Sequence, residues 1–193
     1  MKRTLFMAGC AVTALSSAHA GIIVNIFDQA DGMMVQGSGT LNITSATFSH
    51  TLDTVNAVRA NAAVTPGPHM STMADMYRIF SGFAGPTDIG PGNFTSTGNV
   101  GSGDLFGINF SLLPTQLLLL VPAGYVSGEA LVGQSFHQNQ SIDSVGLTPG
   151  QYTWTWGSGP DADFYTVNVA PAPGTLALLA LGAACSRRRA RNG

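Results

Sequence analysis

The sequence predicts an all-β fold: an antiparallel β-sandwich of jelly-roll-like or Ig-like type, with an N-terminal signal helix and a C-terminal hydrophobic helix. Three observations predict it. Short apolar or alternating runs recur along residues 21–170. Glycine and proline, 24 and 10 of the 193 residues, separate these runs and are typical of turns. Over the same residues, no long amphipathic helical pattern occurs.

The first strand candidates are β-branched or alternating runs. Gly21–Phe27 is an apolar, β-branched run that favours a strand. Gly39–Thr44 and Ala46–Ser49 are expected to form a hairpin around Ser45. Met76–Phe80 is a further strand, which ends at a Ser-Gly pair.

The later candidates include the strongest strand signals. Leu105–Phe110 follows a glycine-rich segment, 98–104, that predicts a loop. Gln116–Val121 is apolar on both faces, which predicts a central strand. Tyr152–Trp156 alternates strictly between aromatic residues and threonine, and we expect it to pair with Phe164–Val169.

The charged residues are few and unevenly placed. They make up 9% of the chain, against about 25% in ordinary domains. Six of the eight basic residues lie at positions 2–3 and 187–191, whereas all ten acidic residues lie between Asp28 and Asp163. The body therefore has two basic and ten acidic residues, a net charge of −8. This balance excludes phosphate-backbone recognition, so we expect no nucleic-acid partner.

The N-terminus has the three parts of a secretory signal in the correct order. Lys2 and Arg3 form a basic start, and Leu5–Leu15 is an apolar segment. Ala18 and Ala20 then give the small-x-small pattern that signal peptidase cleaves. The sequence therefore predicts a signal peptide at residues 1–20, cleaved after Ala20, and an exported domain at residues 21–170.

The C-terminus has the features of a second sorting signal, with its basic residues after the apolar segment instead of before it. Pro171, Ala172 and Pro173 interrupt the preceding strand, an apolar segment follows, and Arg187, Arg188 and Arg189 form a basic end. Arginines remain on the cytoplasmic side of a membrane. We therefore expect residues 174–186 to hold the chain transiently in the inner membrane, with the body outside.

Proline-x-proline, apolar helix and arginines, in this order, resemble the PEP-CTERM sorting domain, with Ala172 in place of the family's glutamate. Residues 171–193 are the tail that carries this resemblance. It implies processing by an exosortase-type transpeptidase and delivery to the cell surface or extracellular matrix of a Gram-negative bacterium. It also implies an association with exopolysaccharide and biofilm. The body segments 101–108 and 147–157 are similar to the extracellular part of such proteins.

An aromatic strand face suggests an alternative function. Tyr152, Trp154 and Trp156 share one face of their strand. Exposed, these rings would stack on sugars and indicate a carbohydrate-binding module, whereas buried they would belong to the core.

A secreted hydrolase is the third hypothesis. Ser135 and His137 are close in sequence, but no Gly-x-Ser-x-Gly elbow is present, and Glu129 is the only glutamate. We therefore expect a non-enzymatic protein with no catalytic residues.

Two metals stay open as alternatives, although we expect no cofactor and no metal site. Asp161 and Asp163 offer oxygen ligands for calcium. Met70, Met73 and Met76 offer thioethers for copper.

Overall fold

The structure is a computed structural model that describes residues 21–170. The two predicted terminal helices fall on residues 1–20 and 171–193 and lie outside this range. The described chain is predominantly β, with one four-residue α-helix and one short 3₁₀ helix, Gly159–Asp161, between the strands. The elements are β1 Gly21–Gln29, β2 Gly32–Thr40, β3 Thr47–Thr54, β4 Ala57–Arg59, β5 Ala63–Thr65, β6 Thr72–Ile79, β7 Phe83–Ala84, β8 Val100–Gly103, β9 Gly107–Asn109, β10 Leu117–Pro122, β11 Ala130–Gln138, α1 Ile142–Val145, β12 Gly150–Trp156 and β13 Asp163–Ala170.

The strands form two sheets, which confirms the predicted sandwich class. The seven-stranded sheet has the order β7-β12-β13-β1-β2-β11-β8, and the six-stranded sheet has the order β3-β6-β10-β9-β5-β4. All strand pairs are antiparallel except β1 and β13, which are parallel neighbours in the middle of the larger sheet. The sheets are therefore mostly antiparallel, as predicted, and depart from the prediction at this one pair. Two parallel strands cannot be joined by a tight turn and need a long connection. Here the connection is the whole chain between Gln29, the end of β1, and Asp163, the start of β13.

The core lies between the two sheets. Alternate residues of β1, namely Ile22, Val24 and Ile26, are fully buried against it. The central position predicted for Gln116–Val121 is confirmed, because β10 lies between β6 and β9 and its residues Leu117–Val121 are all buried. The predicted pairing of the Tyr152 and Phe164 runs is confirmed by β12 and β13.

The predicted hairpin around Ser45 was wrong. The chain leaves β2 at Thr40 in the larger sheet and enters β3 at Thr47 in the smaller one. Leu41 is fully buried at this crossing, and its backbone N–H donates to the Tyr125 hydroxyl at 2.9 Å. Only Gly39 and Thr40 of the first run belong to a strand, and the residues from Leu41 to Ala46 connect the larger sheet to the smaller one.

The segment predicted as a loop at 98–104 contains an edge strand, β8, that pairs with β11. Glycine content indicated a loop there, but the ladder with β11 holds the backbone extended. Among residues 21–170, no helix is long and apolar enough to cross a membrane.

Candidate functional site

The aromatic residues of β12 face the core. Trp154 is fully buried and Trp156 is 1% exposed, and both indole N–H groups donate to backbone carbonyls, of Pro86 and Asn42 respectively. Tyr152 is half-buried and packs against the same core. The sugar-stacking prediction was therefore wrong for Trp154 and Trp156, because the alternation of β12 turns these two rings into the sandwich.

Ser135 and His137 do meet, but inside the protein. The Ser135 hydroxyl lies 3.1 Å from Nε2 of His137, and the Ser96 hydroxyl lies 2.8 Å from Nδ1. All three residues are at most 2% exposed, and burial lowers the pKa of His137 to about 4. Neither ring nitrogen bonds to a carboxylate. This cluster offers no accessible nucleophile, so it holds the core together and does not form a hydrolase site.

The two metal alternatives gain no support. Both Asp163 carboxylate oxygens accept backbone N–H groups, from Asn42 and Phe164, which is a structural role. Met73 and Met76 are three residues apart on β6 and so lie on opposite faces of that strand. Over the described range, no group of three or more His, Cys, Asp or Glu is placed to hold a metal ion.

The outer face of the seven-stranded sheet carries an unforeseen arrangement. One polar residue from each of six neighbouring strands lies in register with the next, forming a continuous line across the sheet. We name it the amide row, and in sheet order it consists of Gln151, Asn168, Asn25, Gln36, Gln134 and Ser102.

Hydrogen bonds orient the amides at both ends of this row. Gln151 Nε2 donates to Asn168 Oδ1 at 2.9 Å, and Asn168 Nδ2 donates to Asn25 Oδ1 at 3.0 Å. From the other side, Gln134 Nε2 donates to Ser102 Oγ at 3.2 Å.

These bonds leave three groups in the middle of the row available to a ligand. The Asn25 NH₂ group remains a free donor, and the Gln134 carbonyl remains a free acceptor. The Gln36 side chain between them has no hydrogen-bond partner within residues 21–170, so its whole amide faces solvent. The centre of the row thus presents donors and acceptors side by side.

A groove of about 380 Å³ lies over this centre. Its walls include Asn25, Gln36 and Gln134, and Gly37 and Gly133 form part of its floor. On the core side, a Cβ at either glycine would lie 2.9 or 3.1 Å from the Phe106 ring. The lack of side chains at both glycines therefore lets the sheet lie directly against the opposite layer here.

A second line of residues borders the amide row. It crosses the same face two residues further along each strand, and we name it the apolar row; it consists of Ala170, Phe27, Met34, Phe136 and Val100. Met34, Val100 and Phe136 line a smaller pocket of about 90 Å³ that shares Ser102 and Gln134 with the groove. Hydrogen-bonding groups and apolar groups therefore lie side by side on one surface.

No residue of either row is charged. The two arginines of the described chain, Arg59 and Arg78, lie on β4 and β6 of the other sheet. Asp104 lies at the margin, where its carboxylate accepts the Val132 backbone N–H at 3.0 Å. This surface can recognise hydroxyl groups and apolar ring faces, but it has no cation with which to bind an anion.

No family model, curated protein or solved structure matches the chain. The sorting residues predicted from the sequence, namely Ala18, Ala20, Pro171, Ala172, Pro173, Arg187, Arg188 and Arg189, lie outside the described residues. The sequence did contain one signal for the amide row, since Asn25 is the only polar residue within the run Gly21–Phe27. The alignment of the row depended on a register that the sequence does not state.

Proposed function

We propose that this protein is an exported, non-enzymatic component of the cell envelope or extracellular matrix that binds polysaccharide on the outer face of its seven-stranded sheet. The observation that carries the binding part is the amide row. Sugar hydroxyls both donate and accept hydrogen bonds, and the free groups of Asn25, Gln36 and Gln134 do the same. The adjoining apolar row supplies a surface for sugar ring faces.

Export rests on the two terminal signals. In this proposal, signal peptidase removes residues 1–20, and an exosortase-type transpeptidase acts on the tail at residues 171–193 while residues 174–186 occupy the inner membrane. The body that remains is a jelly-roll-like or Ig-like sandwich on the surface of a Gram-negative cell. Gly21 already pairs with Thr40 in the sheet, so the first cut removes no residue of a described strand.

The export part is tested by the intact mass of the protein recovered from the cell surface. The expected mass lacks residues 1–20 and the arginine end. Replacing Ala20 with tyrosine should leave the signal attached, because the peptidase pocket accepts only small side chains at that position. Ser16→Ala, outside the small-x-small pair, is the control and should be processed normally. A surface protein that keeps Arg187–Arg189 contradicts tail processing, and a native product confined to the cytosol contradicts export.

The binding part is tested by sedimentation of the purified protein with insoluble extracellular polysaccharide. The parent protein should sediment with the polymer, and Gln36→Ala should sediment less. Asn93→Ala changes an exposed amide in a loop away from both rows and should behave as the parent does. Equal retention of the two variants would place the binding surface elsewhere.

A further inference from the structure

The chemistry of the outer face also defines the class of glycan. Resting on the proposed polysaccharide-binding function, we infer that the ligand is a neutral glycan chain that crosses the strands along the amide row, with its ring faces on the apolar row.

The absence of charge on this face selects a neutral ligand. A uronic-acid or sulfated chain would meet no lysine or arginine in either row, and the arginines at positions 59 and 78 lie on the other sheet. Residues 21–170 carry ten acidic and two basic side chains, so the body as a whole repels a polyanion. A neutral sugar is not repelled by the acidic body, and its hydroxyl groups can form hydrogen bonds with the free amide groups at the centre of the row.

The geometry of the two rows sets the direction of the chain. Neighbouring strands lie about 4.8 Å apart, so the six strands of the amide row span about 24 Å across the sheet. The apolar row runs parallel to it, about 7 Å further along the strands. A glycan lying along the rows can place a hydroxyl edge on the amides and a ring face on Phe27, Met34 and Phe136. A chain lying along a single strand would meet amides and apolar groups in alternation and could not use either row continuously.

Calorimetric titration of the protein recovered from the cell surface tests the ligand class. The probes are a graded series of neutral glucan oligosaccharides and, separately, polygalacturonate as the polyanion. Affinity for the neutral series should rise with chain length until the oligosaccharide spans the row, and it should not change with salt concentration. Polygalacturonate should not bind at low salt.

Variants of single row residues test the binding mode. Gln36→Ala should weaken neutral-glycan binding about fivefold to tenfold, which is the effect of one or two hydrogen bonds. Phe136→Leu keeps an apolar side chain but removes the ring, and it should weaken binding by a similar factor. Asn93→Ala should bind as the parent does. Circular dichroism of each variant separates a loss of contacts from a loss of fold.

The outcomes distinguish the ligand class from the proposed function. Binding of polygalacturonate without the neutral glucans overturns the neutral class but leaves polysaccharide binding standing. If the affinity is already maximal for a single sugar, the ligand does not extend along the amide row, and the inferred direction of the chain is wrong. Failure of every polysaccharide, with the protein folded, overturns both this inference and the binding function it rests on.

Discussion

The hydroxyl of Ser96 lies 2.8 Å from Nδ1 of His137, deep in the protein interior. Ser96 belongs to the segment that precedes β8, and its backbone exchanges two hydrogen bonds with Val58 of β4 in the six-stranded sheet. His137 lies on β11 of the opposite sheet. This single side-chain contact therefore connects the two layers of the sandwich through a buried imidazole.

The buried imidazole predicts acid sensitivity. Burial lowers the pKa of His137 from 6.5 to about 4, so between these values the unfolded chain takes up a proton that the folded chain does not. The neutral His137 therefore makes its full contribution to the free energy of unfolding above pH 6.5. As the pH drops towards about 4, the free energy of unfolding falls by up to about 3 kcal/mol. The free energy of unfolding in urea, measured from neutral pH to about pH 4, checks this.

A matched pair of variants tests whether His137 causes this pH dependence. His137→Gln should flatten the pH dependence in that window, although it is less stable at neutral pH. His50 is exposed, and His50→Gln should retain the parent's dependence. Identical slopes for the parent and His137→Gln would contradict the assignment.

Trp154 is expected to stabilise the core and to leave ligand binding unaffected. Its ring stacks on Phe110 with centroids 4.8 Å apart and planes 20° apart, and its Nε1 donates to the Pro86 carbonyl at 2.9 Å. Trp154→Ala should cost about 3–5 kcal/mol of unfolding free energy. Trp154→Phe keeps a ring but loses the N–H, and should cost less. If a folded Trp154→Phe variant no longer bound glycan, the prediction would be wrong and Trp154 would contribute to binding.

The Tyr125 hydroxyl holds the crossing between the two sheets. It accepts the Leu41 N–H at 2.9 Å and lies 3.0 Å from the Leu41 carbonyl and 2.9 Å from that of Glu129. Tyr125→Phe leaves these backbone groups without that partner and should cost about 1–3 kcal/mol in urea unfolding. The control is Tyr152→Phe, which removes an exposed bond to Thr148 and should change stability by no more than about 0.5 kcal/mol. Equal losses of unfolding free energy in the two variants would contradict a stabilising role of the buried Tyr125 hydrogen bonds.

Gly39 is required within a strand. It has φ of 142°, and a Cβ there would collide with the carbonyl oxygen of Gly21 on β1. Gly124 also has positive φ, 79°, but a Cβ there would meet no atom within 4 Å. Gly124→Ala should therefore cost only its backbone strain, about 1 kcal/mol, and Gly39→Ala clearly more. Thermal unfolding of the two variants measures the difference, and equal melting temperatures would contradict the collision.

Local pattern was sufficient to predict several strands, because a strand with one buried face alternates with a period of two residues. The runs at Tyr152 and Phe164 were predicted to pair, and β12 and β13 do so across a short connection. The runs on either side of Ser45 were closer still in sequence, yet the strands next to them, β2 and β3, lie in different sheets. What separates them is the burial of Leu41 and its bonds to Tyr125, which is 84 residues away.

The sequence by itself determined where several strands lie, because alternation with a period of two residues is a local property. It also determined that Asn25, Gln36 and Gln134 carry uncharged polar side chains. Only the tertiary structure decided that the three amides stand side by side. Their alignment depends on the register of β1, β2 and β11, in which residues about a hundred positions apart become neighbours. Alternation is a property of a single strand, whereas register is fixed when the whole sandwich closes its core.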